Sequence, residues 1–294
     1  MSTLYGDCVA ACQPLTPAAM DHRHHRRANR GQAGPHPERE DHLLIFGIHA
    51  VEAALGNPKR IIRKVALSGN AERRLQHSLA ARQLVHERVL PKDLDRRLGH
   101  DTVHQGALIE AEPLPEPTLA GLTEQMADRP LLVLDQVTDP HNVGAILRSA
   151  AVFGAAGVIM TRRHSPPLDG ALAKAASGAL EHVPVALVQN LARALGELKQ
   201  LGVMVVGLDG TASEPLDNAP WPGRIALILG AEGKGLRELT RTSCDRLYRI
   251  ATEGPLDSLN VSNAAAVALY WTALHRRGAV APPKAHGATR YGAP

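Results

Sequence analysis

The chain has 294 residues, a formal net charge of +4 and a pI near 9.1, with 44% hydrophobic but only 3% aromatic residues. That length suits two domains, with cores built from Ala, Val, Leu and Ile. The shortage of aromatics excludes nucleic-acid binding that rests mainly on base stacking, and the mild basic balance allows a polyanionic partner held by Arg, Lys and backbone groups. Cys8, Cys12 and Cys244 are too few, and odd in number, for a disulfide framework, which implies a reducing compartment. The spacing of Cys8 and Cys12 before His22, His24 and His25 fits no standard zinc pattern, so no metal is expected. No apolar run approaches the ~20 residues needed to span a bilayer, and the first residues lack a secretory pattern. A cytoplasmic protein without a membrane partner is the expectation.

In chain order, residues 1–40 lack hydrophobic periodicity and are rich in Arg, His, Pro and Gly, which predicts a disordered basic arm. The stretch from Arg23 to Arg30 is either a solvated tail or a contact for RNA phosphates, and Met20 is an alternative start. Over 41–112 the pattern predicts a strand entering at Leu43 and a helix after Gly47. A strand at 61–69, a helix at 72–83, a strand at 84–90, a short helix at 93–98 and a strand at 106–111 follow, forming a small α/β domain. The proline-spaced EPLPEP at 112–117 opens a linker expected over 113–129.

From 130 to 278 a second alternation predicts strands at 131–135, 157–160, 183–188, 203–208, 225–229 and 247–250. Helices are predicted at 142–153, 168–179, 191–201, 235–242 and 258–275, and residues 279–294 form a tail. Continuous apolar strands of this kind belong to a parallel sheet covered on both faces.

Three segments of this second domain carry polar groups beyond structural need: DPHNVGAILR (139–148), GAEGKG (230–235) and DSLNVSN (257–263). Each is expected where a strand or loop turns into a helix, so together they define a pocket at a sheet end. In the first, Asn142 either caps the helix or meets a ligand, Gly144 permits close approach, and Arg148 is either a surface ion pair or functional. Arg148 follows Asn142 by six residues, about 600° of helical turn, so the two do not share a face tightly. In the second, the glycines expose backbone amides, but the spacing is neither a P-loop nor a dinucleotide fingerprint. Glu232 would repel a phosphate there, which points to a neutral or cationic ligand. In the third, Ser258, Asn260, Ser262 and Asn263 offer more hydrogen bonds than one cap requires.

These three segments, in this order, resemble the motifs of the SpoU/TrmH family of RNA ribose 2′-O-methyltransferases, in the SPOUT class. KAASGALEHVPV with Ser177 and Pro184, Asn190, and the strings FGIHAVEAAL and HQG in the first domain extend the resemblance over about 43–277. It implies an α/β SPOUT fold with a C-terminal trefoil knot around a mainly parallel sheet, an exception to the rule of unknotted chains. A small domain of the ribosomal-protein L30e type would precede it and bind the RNA. S-adenosylmethionine would be the cofactor, contacted through the backbone at Gly230, Ile250 and Leu259. Asn142, Arg148, Glu232, Ser258 and Asn260 would form the catalytic and substrate-positioning set.

The implied partners are RNA, most closely 23S ribosomal RNA modified at a guanosine ribose, and a second copy of the chain in a homodimer, with no DNA. A tRNA methyltransferase of the same family and a non-catalytic RNA-binding assembly factor are the alternatives. Ile250-Ala251-Thr252 stands where the family usually has Ile-Pro-Met, which removes a proline's restraint from that loop. A guanidinium is a poor base, so Arg148 reads as a charge clamp, with its role as base open and Glu232 an alternative proton acceptor.

Overall fold

The computed structural model describes residues 42–220, 223–255 and 258–278. The arm expected over 1–40, with its cysteines and histidines, the tail over 279–294 and Asp257 lie outside the described residues. Among the described residues no helix is long and apolar enough to cross a membrane.

The first part contains β1 (Leu43–Phe46), α1 (Ile48–Gly56), β2 (Ile62–Leu67), α2 (Gly69–Arg82), β3 (Glu87–Arg88), α3 (Pro91–Leu98) and β4 (Ala107–Ala111). The sheet order is β1-β4-β2-β3. β4 runs antiparallel to both neighbours, whereas β3 pairs parallel to β2. The strand expected over 84–90 shrinks to the two residues of β3. It lies at the sheet edge, where Val89 is buried and Leu84 packs partly against the core while Val85 and Leu90 are exposed, so its apolar side chains do not form a continuous buried run.

The second part contains α4 (Leu119–Gln125), β5 (Leu131–Asp135), α5 (Pro140–Phe153), β6 (Gly157–Thr161), α6 (Gly170–Ala175), β7 (Val185–Val188) and α7 (Leu191–Gln200). It continues with β8 (Met204–Leu208), β9 (Ile225–Gly230), α8 (Glu238–Thr242), β10 (Arg246–Tyr248) and α9 (Val261–Arg276). The sheet order is β10-β8-β9-β5-β6-β7, and every pairing is parallel. The result is an α/β fold with a parallel sheet covered on both faces, as the unbroken apolar strands predict.

Alternation along each strand decides which face a residue serves. Leu131, Val133, Ile159, Ala226 and Ile228 pack towards α4 and α7, and Leu132, Leu134, Met160, Leu227 and Leu229 pack on the side of α5 and α9. That second core continues without a break into Ile45, Ile48, Val51 and Ala54 of the first part.

Several local expectations change. The stretch expected as linker holds α4, whose Thr118 side chain accepts from Gly121 N and whose Leu119 and Leu122 are buried. The helix expected over 168–179 is interrupted after α6, where Ser177 (φ 49°) and Gly178 (φ 90°) leave the helical region before a 3₁₀ turn at Ala179–Glu181. The helices expected from 235 and from 258 begin only at Glu238 and Val261.

Candidate active site

The start of α5 is capped by Asp139, not Asn142. The Asp139 carboxylate accepts from His141 N at 3.1 Å and Asn142 N at 3.2 Å, and Pro140 occupies the first turn, where a missing N–H costs nothing. Asn142 is thereby released from capping. Gly144 serves packing rather than a ligand: a Cβ there would lie 2.5 Å from Ala175 Cβ and 2.7 Å from Ala175 C. The backbones of α5 and α6 meet at this point.

The GAEGKG segment is a closed turn after β9. Gly235 N donates to Ala231 O at 2.8 Å, and an isolated bridge joins the same two residues. A Cβ on Gly230 would lie 2.1 Å from Gly235 C and 2.4 Å from Leu236 N, so only glycine fits. Because α8 starts after Arg237, this turn does not present its amides as a helix N-terminus, contrary to the sequence expectation.

The turn carries Glu232 to the two other motifs. Asn260, whose Oδ1 caps α9 by accepting from Ser262 N at 2.9 Å and Ser262 Oγ at 2.6 Å, donates through Nδ2 in the opposite direction. It reaches Asn142 Oδ1 at 3.1 Å and Glu232 Oε2 at 3.2 Å. Asn142 Nδ2 donates to the same Glu232 oxygen at 3.4 Å. Residues 90 and 118 positions apart in the chain thus form one polar cluster.

The other expected residues stand around this cluster rather than in it. Arg148 is exposed on α5 and makes no hydrogen bond or ion pair among the described residues, so the surface ion pair is not its role there. Ser258 is exposed and Leu259 is 42% exposed, on the loop leading into α9. Ile250 is partly buried against the core. The proline missing after it is offset by its neighbour: Arg249 N donates to Glu214 O (2.9 Å), Leu216 N donates to Arg249 O (2.8 Å), and the Arg249 guanidinium donates to Ala212 O (3.1 Å).

Sequence reading missed one pair. Asp135, at the end of β5, has a fully buried side chain. It accepts from Arg237 Nε at 2.7 Å and Arg237 N at 3.0 Å, tying the second residue after the GAEGKG turn to the end of β5. The available signal was a charge closing an otherwise apolar strand, LLVLD, since a buried carboxylate requires a partner.

Residues 129–270 match the SpoU rRNA Methylase family, and residues 44–117 match the RNA 2′-O ribose methyltransferase substrate binding domain. The chain belongs to the SpoU rRNA methylase family. Among its relatives, the 23S rRNA (guanosine-2′-O-)-methyltransferase RlmB of Ralstonia nicotianae is 43% identical over 246 residues, covering 82% of this chain and 98% of the relative. The enzyme of the same name from Vibrio vulnificus is 40% identical over 234 residues, covering 77% and 94%. The crystal structure of the SpoU methyltransferase AviRb from Streptomyces viridochromogenes is similar in fold, with a TM-score of 0.69 at 23% identity, covering 81% of this chain and 91% of that one.

Proposed function

We propose that this chain transfers a methyl group from S-adenosylmethionine to the ribose 2′-hydroxyl of a guanosine in 23S ribosomal RNA, in the cytoplasm. The observation that carries the reading is the meeting of Asn142, Glu232 and Asn260 from three distant motifs at one end of the parallel sheet. Near-complete coverage of relatives named for this reaction supports the substrate.

The residues present suit the cofactor. A carboxylate beside a glycine turn repels phosphates and favours a cation such as a sulfonium, and Gly230, Ile250 and Leu259 are the backbone positions that would hold it. S-adenosylmethionine, when bound, supplies an electrophilic methyl group. What the chain supplies is alignment, which is worth up to ~7–11 kcal/mol for well-oriented reactants. It also manages the hydroxyl proton, without whose loss the oxygen is a poor nucleophile. Glu232 Oε2 already accepts two amide hydrogen bonds, which fix the carboxylate in place to receive or relay that proton. Asn142 and Asn260 hold it. Arg148 clamps phosphate and the developing alkoxide, and Ser258 orients the ribose.

The finer parts of the fold belong to the same reading. The C-terminal part is a trefoil knot, and the first part is an L30e-type RNA-binding domain. Support for the knot lies in the central place of β9 between β5 and β8 and in the return of α9 onto α5. The active form is a homodimer. In support of it, Val152, Val267 and Tyr270 are exposed on α5 and α9, and Arg148 is exposed with no partner among the described residues, as expected if a second copy completes the site.

The test is tritium transfer from labelled S-adenosylmethionine to unmodified 23S rRNA, 16S rRNA and bulk tRNA, with nuclease mapping of the methylated ribose. Label at one 23S guanosine is expected. Label on tRNA alone would overturn the substrate, and no binding of the cofactor would overturn the enzyme.

A further inference from the structure

The EPLPEP segment suggests two domains on a tether, but the contacts across it are of another kind. Arg60, between α1 and β2, and Glu181, in the 3₁₀ turn before β7, form an ion pair with each side chain only 3% exposed. The geometry is a fork: Arg60 Nη2 donates to Glu181 Oε1 at 2.7 Å, and Arg60 Nε donates to Oε2 at 3.2 Å. Asn57 Nδ2 donates to the same Oε2 at 2.7 Å. The remaining guanidinium nitrogen of Arg60 donates to Glu112 O at 2.7 Å, the first residue of the tether. Arg82 in turn fixes the backbone of Asn57 and Arg60 through their carbonyls, at 2.6 and 2.8 Å.

The seam around this pair is tight. A Cβ on Gly178 (φ +90°) would lie 2.5 Å from Ala53 Cβ of α1. A Cβ on Gly170 would lie 3.4 Å from Phe46 of β1, and one on Gly47 would lie 3.6 Å from Lys174 of α6. Gln105, from the HQG string, accepts from Ile48 N at 3.0 Å and so holds the start of α1 against this surface. Behind the seam, α6 packs on α5 through Gly144, and α5 carries Asn142 and Arg148.

A buried ion pair is weak evidence of stability, because desolvation offsets the attraction, but it demands one geometry. We infer that Arg60 and Glu181 are positioning residues for methyl transfer: the pair clamps the substrate-binding domain onto the turn behind α5, so RNA held by that domain is presented to the methyl site at a fixed distance and angle. This inference rests on the RNA methyltransferase reading above. With the clamp released, the domain still binds RNA, but the target ribose is no longer aligned, and a misplacement of ~1 Å is enough to cost ~100-fold in rate.

The experiment compares the full chain with Glu181→Ala and with the paired replacement Arg60→Met/Glu181→Leu. The readouts are RNA affinity, S-adenosylmethionine binding stoichiometry, and kcat per cofactor-binding site. For Glu181→Ala the expected result is RNA and cofactor affinities within about threefold of the parent and at least ~10-fold lower kcat per binding site. The apolar pair closes the seam without charge and is expected to recover most of the lost kcat. A purely structural role would lower the number of cofactor-binding sites and leave kcat per site unchanged. That result, or a Glu181→Ala protein with parental kcat per site, overturns the inference. Absence of label on RNA with the parent chain would instead overturn the functional reading, and the positioning role with it.

Discussion

Arg148 and Cys244 show two different fates of a reactive side chain. Arg148 is exposed, unpaired among the described residues and on the helix that begins with Asn142. Arg148→Ala is therefore expected to abolish methyl transfer while leaving cofactor affinity within about twofold. Calorimetry beside tritium transfer checks this, and full activity on the true RNA would remove Arg148 from the site. Cys244 is the opposite case. Burial, only partly offset by Lys199, raises its thiol from 9.0 to about 11, and its sulfur donates to Thr240 O. Its thiolate is scarce at pH 8, so alkylation followed by peptide mass spectrometry should be slow there and accelerate only as pH approaches 11. The sign for stability follows: the neutral thiol favours the fold, fully below pH 9, and that contribution is lost as pH rises towards 11. At this scale Asn260 was legible as one of more polar groups than a cap requires and Glu232 as a carboxylate among glycines, whereas Asn142 stood open between a helix cap and a ligand contact. Asp139 as the true cap was not, because Asp and Asn are near-equal caps and only the backbone decides between them.

Among elements, the parallel strands were the most legible feature, since strands buried on both faces carry unbroken apolar runs. Helix ends were less so. The break between α6 and the turn at Ala179–Glu181 hides in KAASGALEHVPV because Ser177, a non-glycine, takes φ 49°. The purpose of Gly144 also had to be seen in contact: it lets α5 touch the backbone of α6. Gly144→Ala is expected to force the helices apart at a cost of ~1–3 kcal/mol, as for overpacked cores. That is a fall in Tm of roughly 2–4 °C per kcal/mol for a domain of 150–250 residues, read by calorimetry. Methyl transfer should fall more than Tm suggests, because α5 carries Asn142. An unchanged Tm would mean the contact yields at no cost.

For the whole molecule, the sequence separated two α/β halves but did not show that one apolar core runs from α1 to α5. Long-range contact of this sort leaves no periodic trace in either half. The proposed dimer belongs to this scale. Val152 is 77% exposed on α5, next to Phe153, whose ring lies 5.9 Å from Tyr270 of α9. Val152→Asp is expected to yield a monomer in light scattering and to lose activity with the cofactor site intact. An active monomer would show that each chain works alone.

The position of β9 also bears on how the chain acquires its shape during synthesis. β9 separates β5 from β8, and β8 has no partner other than β9 and the still later β10. While residues up to 224 are emerging from the ribosome, β5, β6 and β7 can assemble, but β8 must wait, and the facing edge of β5 stays open until Ile225–Gly230 arrives. Pairing across such sequence separations is slow, and an open apolar edge is a hazard for aggregation. The strand that brings Glu232 to Asn142 and Asn260 is thus also the strand that closes the sheet, so nascent chains lacking it have neither a complete sheet nor a site.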